Sequence, residues 1–99
     1  MRRSYSISVE LNGYRFESCI IDPHYEMKHN ESINDFLILE LVSTLNGRTL
    51  EADAIDRDGF EYYVVDPTFF DGKPYRLVLL LTKEKDFIGV VNCFRRAKK

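Results

Sequence analysis

His24-Tyr25-Glu26-Met27-Lys28-His29-Asn30 leads into Ser32-Ile33-Asn34-Asp35-Phe36-Leu37-Ile38-Leu39-Glu40-Leu41-Val42-Ser43-Thr44-Leu45-Asn46-Gly47, and the fold turns on how this stretch is read. Leu37, Ile38, Leu41, Val42 and Leu45 recur at i, i+1, i+4, i+5 and i+8, with Ile33, Phe36 and Leu39 widening the stripe. That spacing predicts a helix over 32–46 with a broad apolar face, which needs a sheet to cover it. Ser32 is the expected N-cap, its hydroxyl accepting from a free amide three residues on, and Asp35 suits the positive end of the first turn. Asn46-Gly47 marks the stop, because glycine enters the left-handed C-cap conformation without a Cβ penalty. Both histidines then lie where strand gives way to helix.

Upstream, Tyr5, Ile7, Val9 and Leu11 alternate with polar residues, and after Asn12-Gly13 the alternation resumes through Tyr14, Phe16, Ser18 and Ile20. Asn-Gly suits a two-residue type I′ turn, so a β-hairpin is predicted here. Asp22-Pro23 breaks the second strand, and Pro23 is placed to open a short helical turn through Lys28. Downstream, 50–55 reads as a weak strand, Asp56-Arg57-Asp58-Gly59 as a turn, and 60–65 as a strand ended by Asp66-Pro67. The segment 68–74 reads as a loop whose Phe69 and Phe70 tuck onto the core. Residues 75–82, apolar on both faces, read as a central strand covered on two sides, and 87–94 as the last strand. On that last strand, Ile88, Val90, Asn92 and Phe94 are expected on one face, and Gly89, Val91, Cys93 and Arg95 on the other. The expected fold class is α+β, a single domain over 1–99: an N-terminal β-hairpin and one main α-helix packed on an antiparallel sheet.

Ninety-nine residues suffice for one hydrophobic core. No apolar run is long enough to span a membrane, and the chain opens without the apolar segment of a signal peptide, so a cytoplasmic protein without a membrane partner is expected. Two cysteines, Cys19 and Cys93, build neither a disulfide framework nor a zinc site and read as reduced core thiols. The net charge of −2 hides an asymmetry. Arg2, Arg3, Arg95, Arg96, Lys98 and Lys99 hold six of the fourteen basic residues, which leaves eight against sixteen carboxylates in the body. The basic ends read as solvated tails or, if they meet, as a cationic patch for a few phosphates.

The chain lacks a glycine-rich phosphate loop, a Gly-x-Ser-x-Gly elbow, and Cys-x-x-Cys or His-Glu-x-x-His spacing, so no metal and no cofactor is expected. The residue types that remain suit phosphodiester cleavage without metal. When RNA supplies its own 2′-hydroxyl as nucleophile, the reaction needs a proton acceptor, a proton donor, and cations on the phosphorane. Histidine serves either proton role, and arginine and lysine keep their charge. His24 and Lys28 share a face at i, i+4, while His29 points elsewhere. Arg76, which interrupts an apolar strand, and Arg95 and Arg96 at the end of the last strand could supply the cations. Each has a plainer reading: His24 as a turn histidine, Arg76 as half of a buried ion pair, Asn92 as a satisfied amide.

The run His24-x-x-x-Lys28-His29 before a Ser-opened helix, together with the ending Phe87-Ile88-Gly89-Val90-Val91-Asn92-Cys93-Phe94-Arg95-Arg96, resembles small bacterial toxin ribonucleases of the RelE-like and barnase-like kind. The resemblance implies a RelE-like fold and an RNA-cleaving toxin of a toxin-antitoxin pair, with RNA as substrate and a cognate antitoxin protein as partner. It implies catalytic roles for His24, Lys28 and Arg95; from the residues themselves, Arg76, His29 and Arg96 are expected to bind substrate. The chain departs from that family in its acidic body and its opening hairpin. A binding module that holds a basic protein through Glu51, Asp53, Asp56, Asp58 and Glu61 is the alternative.

Overall fold

The computed structural model describes residues 2–29 and 32–96, and for Lys28 and His29 the backbone alone. Asn12 and Gly13 sit at φ +57° and +81°, the left-handed pair of a type I′ turn, and they join β1 (Arg3–Leu11) to β2 (Tyr14–Ile21) as the sequence predicts. A second such turn, Asp71-Gly72 at φ +54° and +75°, joins β4 (Glu61–Phe70) to β5 (Lys73–Leu81). The expected loop over 68–74 is therefore a continuous hairpin. Asp66-Pro67 does not end β4, because the register shifts between Val65 and Thr68; an irregularity of this kind accommodates a residue that has no N–H for the ladder. Phe70 packs against the core, while Phe69 faces solvent.

The weak strand expected over 50–55 shrinks to β3 (Ala54–Ile55), paired with β4 at the sheet's margin. The last strand, β6 (Ile88–Arg95), lies between β2 and β5, antiparallel to β5 but parallel to β2. The six strands run in the order β1-β2-β6-β5-β4-β3. Pro23 opens a 3-10 turn, Pro23–Tyr25, followed by the single helical turn α1 (Glu26–His29).

The main helix, α2, covers only Asp35–Ser43. Its cap is Asn34, whose side chain accepts from the Leu37 amide at 2.8 Å, so the start falls two residues after the predicted Ser32. Both residues can serve as caps; the extended backbone at Asn34, φ −144°, decides the position. Leu37, Ile38, Leu41 and Val42 are buried as the spacing predicts. α2 touches both β1 and β4, which lie on opposite flanks of the sheet. One short helix reaches both because the sheet curls into a half-barrel around it.

The expected fold class is thereby corrected. The chain is mostly sheet, a curled mixed half-barrel of six strands around one short helix, and not the α+β, RelE-like arrangement of a helix packed on an antiparallel sheet. The apolar periodicity located the helix correctly, but nine helical residues cannot cover six strands. The sheet bends to supply the rest of its own enclosure. Leu77, Leu79, Leu81, Ile88, Val90 and Cys93 line the inside with α2.

Asn12 closes the curl. Its amide nitrogen donates to the Tyr63 hydroxyl at 3.0 Å, and its side-chain oxygen accepts from the Leu50 amide at 2.6 Å, which ties the first hairpin's turn to β4. Asn12→Gly keeps the positive φ and removes both bonds. It is expected to cost about 1–3 kcal/mol in chemical denaturation, whereas Asn46→Ala, which loses one exposed bond to the Glu10 amide, should cost less.

Candidate functional site

Strand alternation sends Leu77, Leu79 and Leu81 inward and Arg76, Val78 and Leu80 outward. The outward residues form rows across the sheet: Tyr62, Leu80, Gly89 and Ile20; then Val64, Val78 and Asn92; then Arg76 and Phe94, with Asp66 alongside. A register shift sits between Val90 and Asn92 on β6. It leaves Val91 unpaired, exchanges the faces, and places Cys93 inside with Ile88 and Val90, so the expected pattern holds for the first half of the strand only. The central strands are accordingly covered on one side. The expected second cover of β5 is not there among the described residues: Val78 and Leu80 are half-buried, while Leu77, Leu79 and Leu81 are fully enclosed.

At one end of this outer face lies a groove of about 450 Å³, lined by Ile20, Tyr62, Leu80, Phe87, Gly89 and Val91 together with Arg2 and Asp22. Gly89 forms part of its wall because it has no side chain to fill the space. Arg2 approaches Asp22 at 3.7 Å with its own side chain largely in solvent. Asp22 also accepts from the His24 amide at 2.9 Å, so the turn carrying His24 starts at the groove. That turn packs against β6, and the His24 side chain is exposed.

At the other end, two guanidinium groups close on one carboxylate. Arg96 bonds both oxygens of Asp66, and Arg76 reaches it at 3.4 Å while lying 6.0 Å from the centre of the Phe94 ring. Two cations on one anion leave a net positive charge. Arg95 pairs across the ladder with the buried Tyr75, which places it on the helix side of the strand, at its end, where its side chain is exposed. The structure therefore brings Arg76 and Arg96 together and sets Arg95 at the adjoining rim. His24 makes no described hydrogen bond or ion pair with any of them. Lys28 and His29 lie on α1, and their side chains fall outside the described ones.

The strongest perturbation of an acid lies elsewhere. Asp35, in the first turn of α2, accepts from Arg3 at 2.9 Å through Nη2, from the Tyr25 hydroxyl at 2.6 Å, and from Tyr5. Arg3 above all, and then the two tyrosines, hold its carboxyl down to about 2 against the opposing effect of burial. Burial and then Asp35 raise the Tyr25 phenol. Every member of this cluster is consumed in joining β1 and the 3-10 turn to α2, so it serves the fold. Burial pushes the Cys19 and Cys93 thiols up to about 12, and both are free and enclosed, as the sequence predicts. Of the basic ends, the described residues make separate ion pairs, Arg3 with Asp35 and Glu26, Arg2 with Asp22, and Arg96 with Asp66, while Lys98 and Lys99 lie outside the described residues.

Sequence reasoning missed Asp66 as the partner of Arg76, and Tyr62, Gly89 and Arg2 as parts of one face. One signal was present: a single amphipathic helix cannot cover both faces of a strand as apolar as β5. Among the described residues, no helix is long and apolar enough to cross a membrane, and no three His, Cys, Asp or Glu side chains cluster as metal ligands would. Comparison with protein-family models, with curated proteins and with solved structures returns no match.

Proposed function

We propose that the chain acts on RNA as a metal-independent endoribonuclease of the cytoplasm, held in check by a protein partner as the toxin of a toxin-antitoxin pair is. One observation carries this reading. The outer face of β5 and β6 connects a groove that adjoins the His24 turn to an arginine cluster around Asp66. The reaction requires a proton-transfer group and a cation at one phosphate; the His24 turn is assigned the first and Arg95, at the rim beside the cluster, the second, with the cluster left to hold the flanking strand.

In the mechanism proposed, His24 takes the proton of a ribose 2′-hydroxyl, whose oxygen attacks the adjacent phosphorus. The bond from phosphorus to the 5′ oxygen breaks, and the imidazolium returns the proton to that leaving oxygen. The products are a 2′,3′-cyclic phosphate and a 5′-hydroxyl, and no electrons are transferred to a second reactant. Arg95, with Lys28 beside His24 in sequence, balances the charge on the phosphorane, while Arg76, Arg96 and His29 hold flanking phosphates.

The test is incubation of the purified chain with single-stranded RNA in excess EDTA. Fragments ending in cyclic phosphate are expected. Intact RNA, or cleavage that EDTA abolishes, would contradict the proposal.

The acidic margin favours a second reading, a non-enzymatic module for a basic protein. Glu51, Asp53, Asp56, Asp58 and Glu61 border the short strand β3, where Ile55 is exposed. Asp53 and Asp56 are occupied in part by backbone amides and, for Asp56, the Tyr62 hydroxyl, and Glu61 by Tyr63 and Lys85, but among the described residues no cationic side chain pairs with the first two. Under this reading a basic partner shields 51–61 from hydrogen exchange. In the toxin reading the same margin is the place for the neutralising partner.

A further inference from the structure

We infer that the uncovered outer face of β2, β6, β5 and β4 is a track for a single-stranded RNA segment, with bases against the apolar groove and phosphates on the arginines at its two ends. The inference rests on the RNA reading above and deepens it by assigning the substrate's path and its single-stranded form.

Three observations carry it. First, the face is apolar where a soluble sheet facing water is ordinarily polar: half-buried Tyr62 and Phe94 stand on it, with Val91 exposed on β6. An aromatic ring on an open sheet offers a stacking surface to any base. Second, cations stand at both ends of this face although the body of the protein is acidic. Arg2 lies at the groove and Arg76 and Arg96 at the far end, where two guanidinium groups share the one carboxylate of Asp66; Asp22 lies at the groove, and Asp56 takes the hydroxyl of Tyr62 beside it. The Arg76 contact with Asp66 is long at 3.4 Å and its side chain is 42% exposed, so a phosphate can share that guanidinium without breaking a buried pair. Third, the spacing suits a flexible strand. Leu80 and Arg76 are four positions apart on β5, about 13 Å at the rise of an extended chain, so groove and cluster lie within one short oligonucleotide.

A duplex does not fit these features. Its bases are stacked on one another, and its outer surface presents phosphates and groove edges with no free base faces. The groove, walled in part by Gly89, admits a planar group only if that group leaves the stack.

The probe is a fluorescent single-stranded RNA of eight nucleotides carrying 2′-O-methyl groups, which cannot be cleaved by its own 2′-oxygen. Binding is followed by anisotropy across a range of salt, beside cleavage of the unmodified RNA. Tyr62→Ala and Arg76→Gln are each expected to weaken binding about tenfold. Arg76→Gln should also reduce the salt slope by about 0.7, the value for one phosphate on a single strand. Gly89→Ala fills the groove wall and should weaken binding likewise. Its added methyl meets Leu80 and Phe87 at 3.4–3.5 Å, ordinary contact distances, so a thermal melt should show the fold retained. Glu40→Gln on α2, outside both the track and the acidic margin, should bind as the parent chain does.

Weakened binding by the three face variants supports the track even if no RNA is cleaved, in which case only the nuclease reading falls. Cleavage and binding that are both indifferent to the three variants, no binding at all, or equal affinity for duplex and single strand would each overturn the track. So would displacement of the probe that depends on Glu51 and Asp58 instead of Tyr62 and Arg76, which would mark the acidic margin as the working surface.

Discussion

Asp35→Ala is expected to lower the stability of the chain by about 2–4 kcal/mol in urea denaturation, as the loss of a part-buried carboxylate that accepts several hydrogen bonds does. The carboxylate joins Arg3 and Tyr5 of β1, Tyr25 of the 3-10 turn, and α2 itself. Removing it leaves the two phenols without this acceptor and Arg3 with Glu26 alone. Asp35→Asn should recover part of the loss, because an amide oxygen still accepts although the charge is gone.

The same group makes stability depend on pH with a defined sign. Its carboxyl titrates lower in the folded chain, at about 2, than in the unfolded one, near the ordinary 3.8. A depressed folded value means the contribution is complete above about pH 4 and disappears as the pH falls toward 2. After allowance for solvent around the cluster, about 1–2 kcal/mol should vanish over that window in the parent chain and not in Asp35→Ala. Identical acid profiles for the two proteins would show that the cluster does not hold the carboxylate as described.

His24→Ala is expected to reduce RNA cleavage by about 10²–10⁴-fold, the usual worth of a positioned proton-transfer group. Arg95→Ala should reduce it by about 10²–10³-fold, the scale for a lost donor to developing charge. Both side chains are exposed, so neither substitution should move the melting temperature by more than a surface change does. The control is affinity for the 2′-O-methyl probe. A group that transfers a proton should leave it nearly unchanged, whereas Arg76→Gln should weaken it. Cleavage unaltered in both His24→Ala and Arg95→Ala would remove these residues from the mechanism.

Local chemistry was legible in the sequence wherever one or two residues decide it. Asn12-Gly13 specified its turn, Pro23 the start of the 3-10 turn, and the leucine spacing the buried face of α2. Asp71-Gly72 has the same chemistry as Asn12-Gly13, but the neighbouring Asp66-Pro67 reads as a strand terminator, and only the register shift between Val65 and Thr68 reconciles the two. What the sequence did not show was non-local. The contact of β2 with β6 is parallel and joins residues about seventy apart in the chain. Curl is a property of the whole sheet that no short window encodes.

The same reason hid the outer face. Tyr62, Arg76, Gly89 and Phe94 come from three strands and share no spacing. Arg76 was recognisable because a charge inside an apolar strand needs a partner, yet its partner Asp66 looked like the end of a strand. His24, Lys28 and His29 stand together in the sequence, and the tie to the groove is the His24 backbone amide, which donates to the groove residue Asp22.

The most direct measurement is an amide chemical-shift map of the isotope-labelled chain as the uncleavable single-stranded RNA is added. The account predicts changes gathered at Ile20, Tyr62, Arg76, Gly89, Val91 and Phe94, fading across α2. Changes gathered at 51–61, or none at saturating RNA, would contradict it.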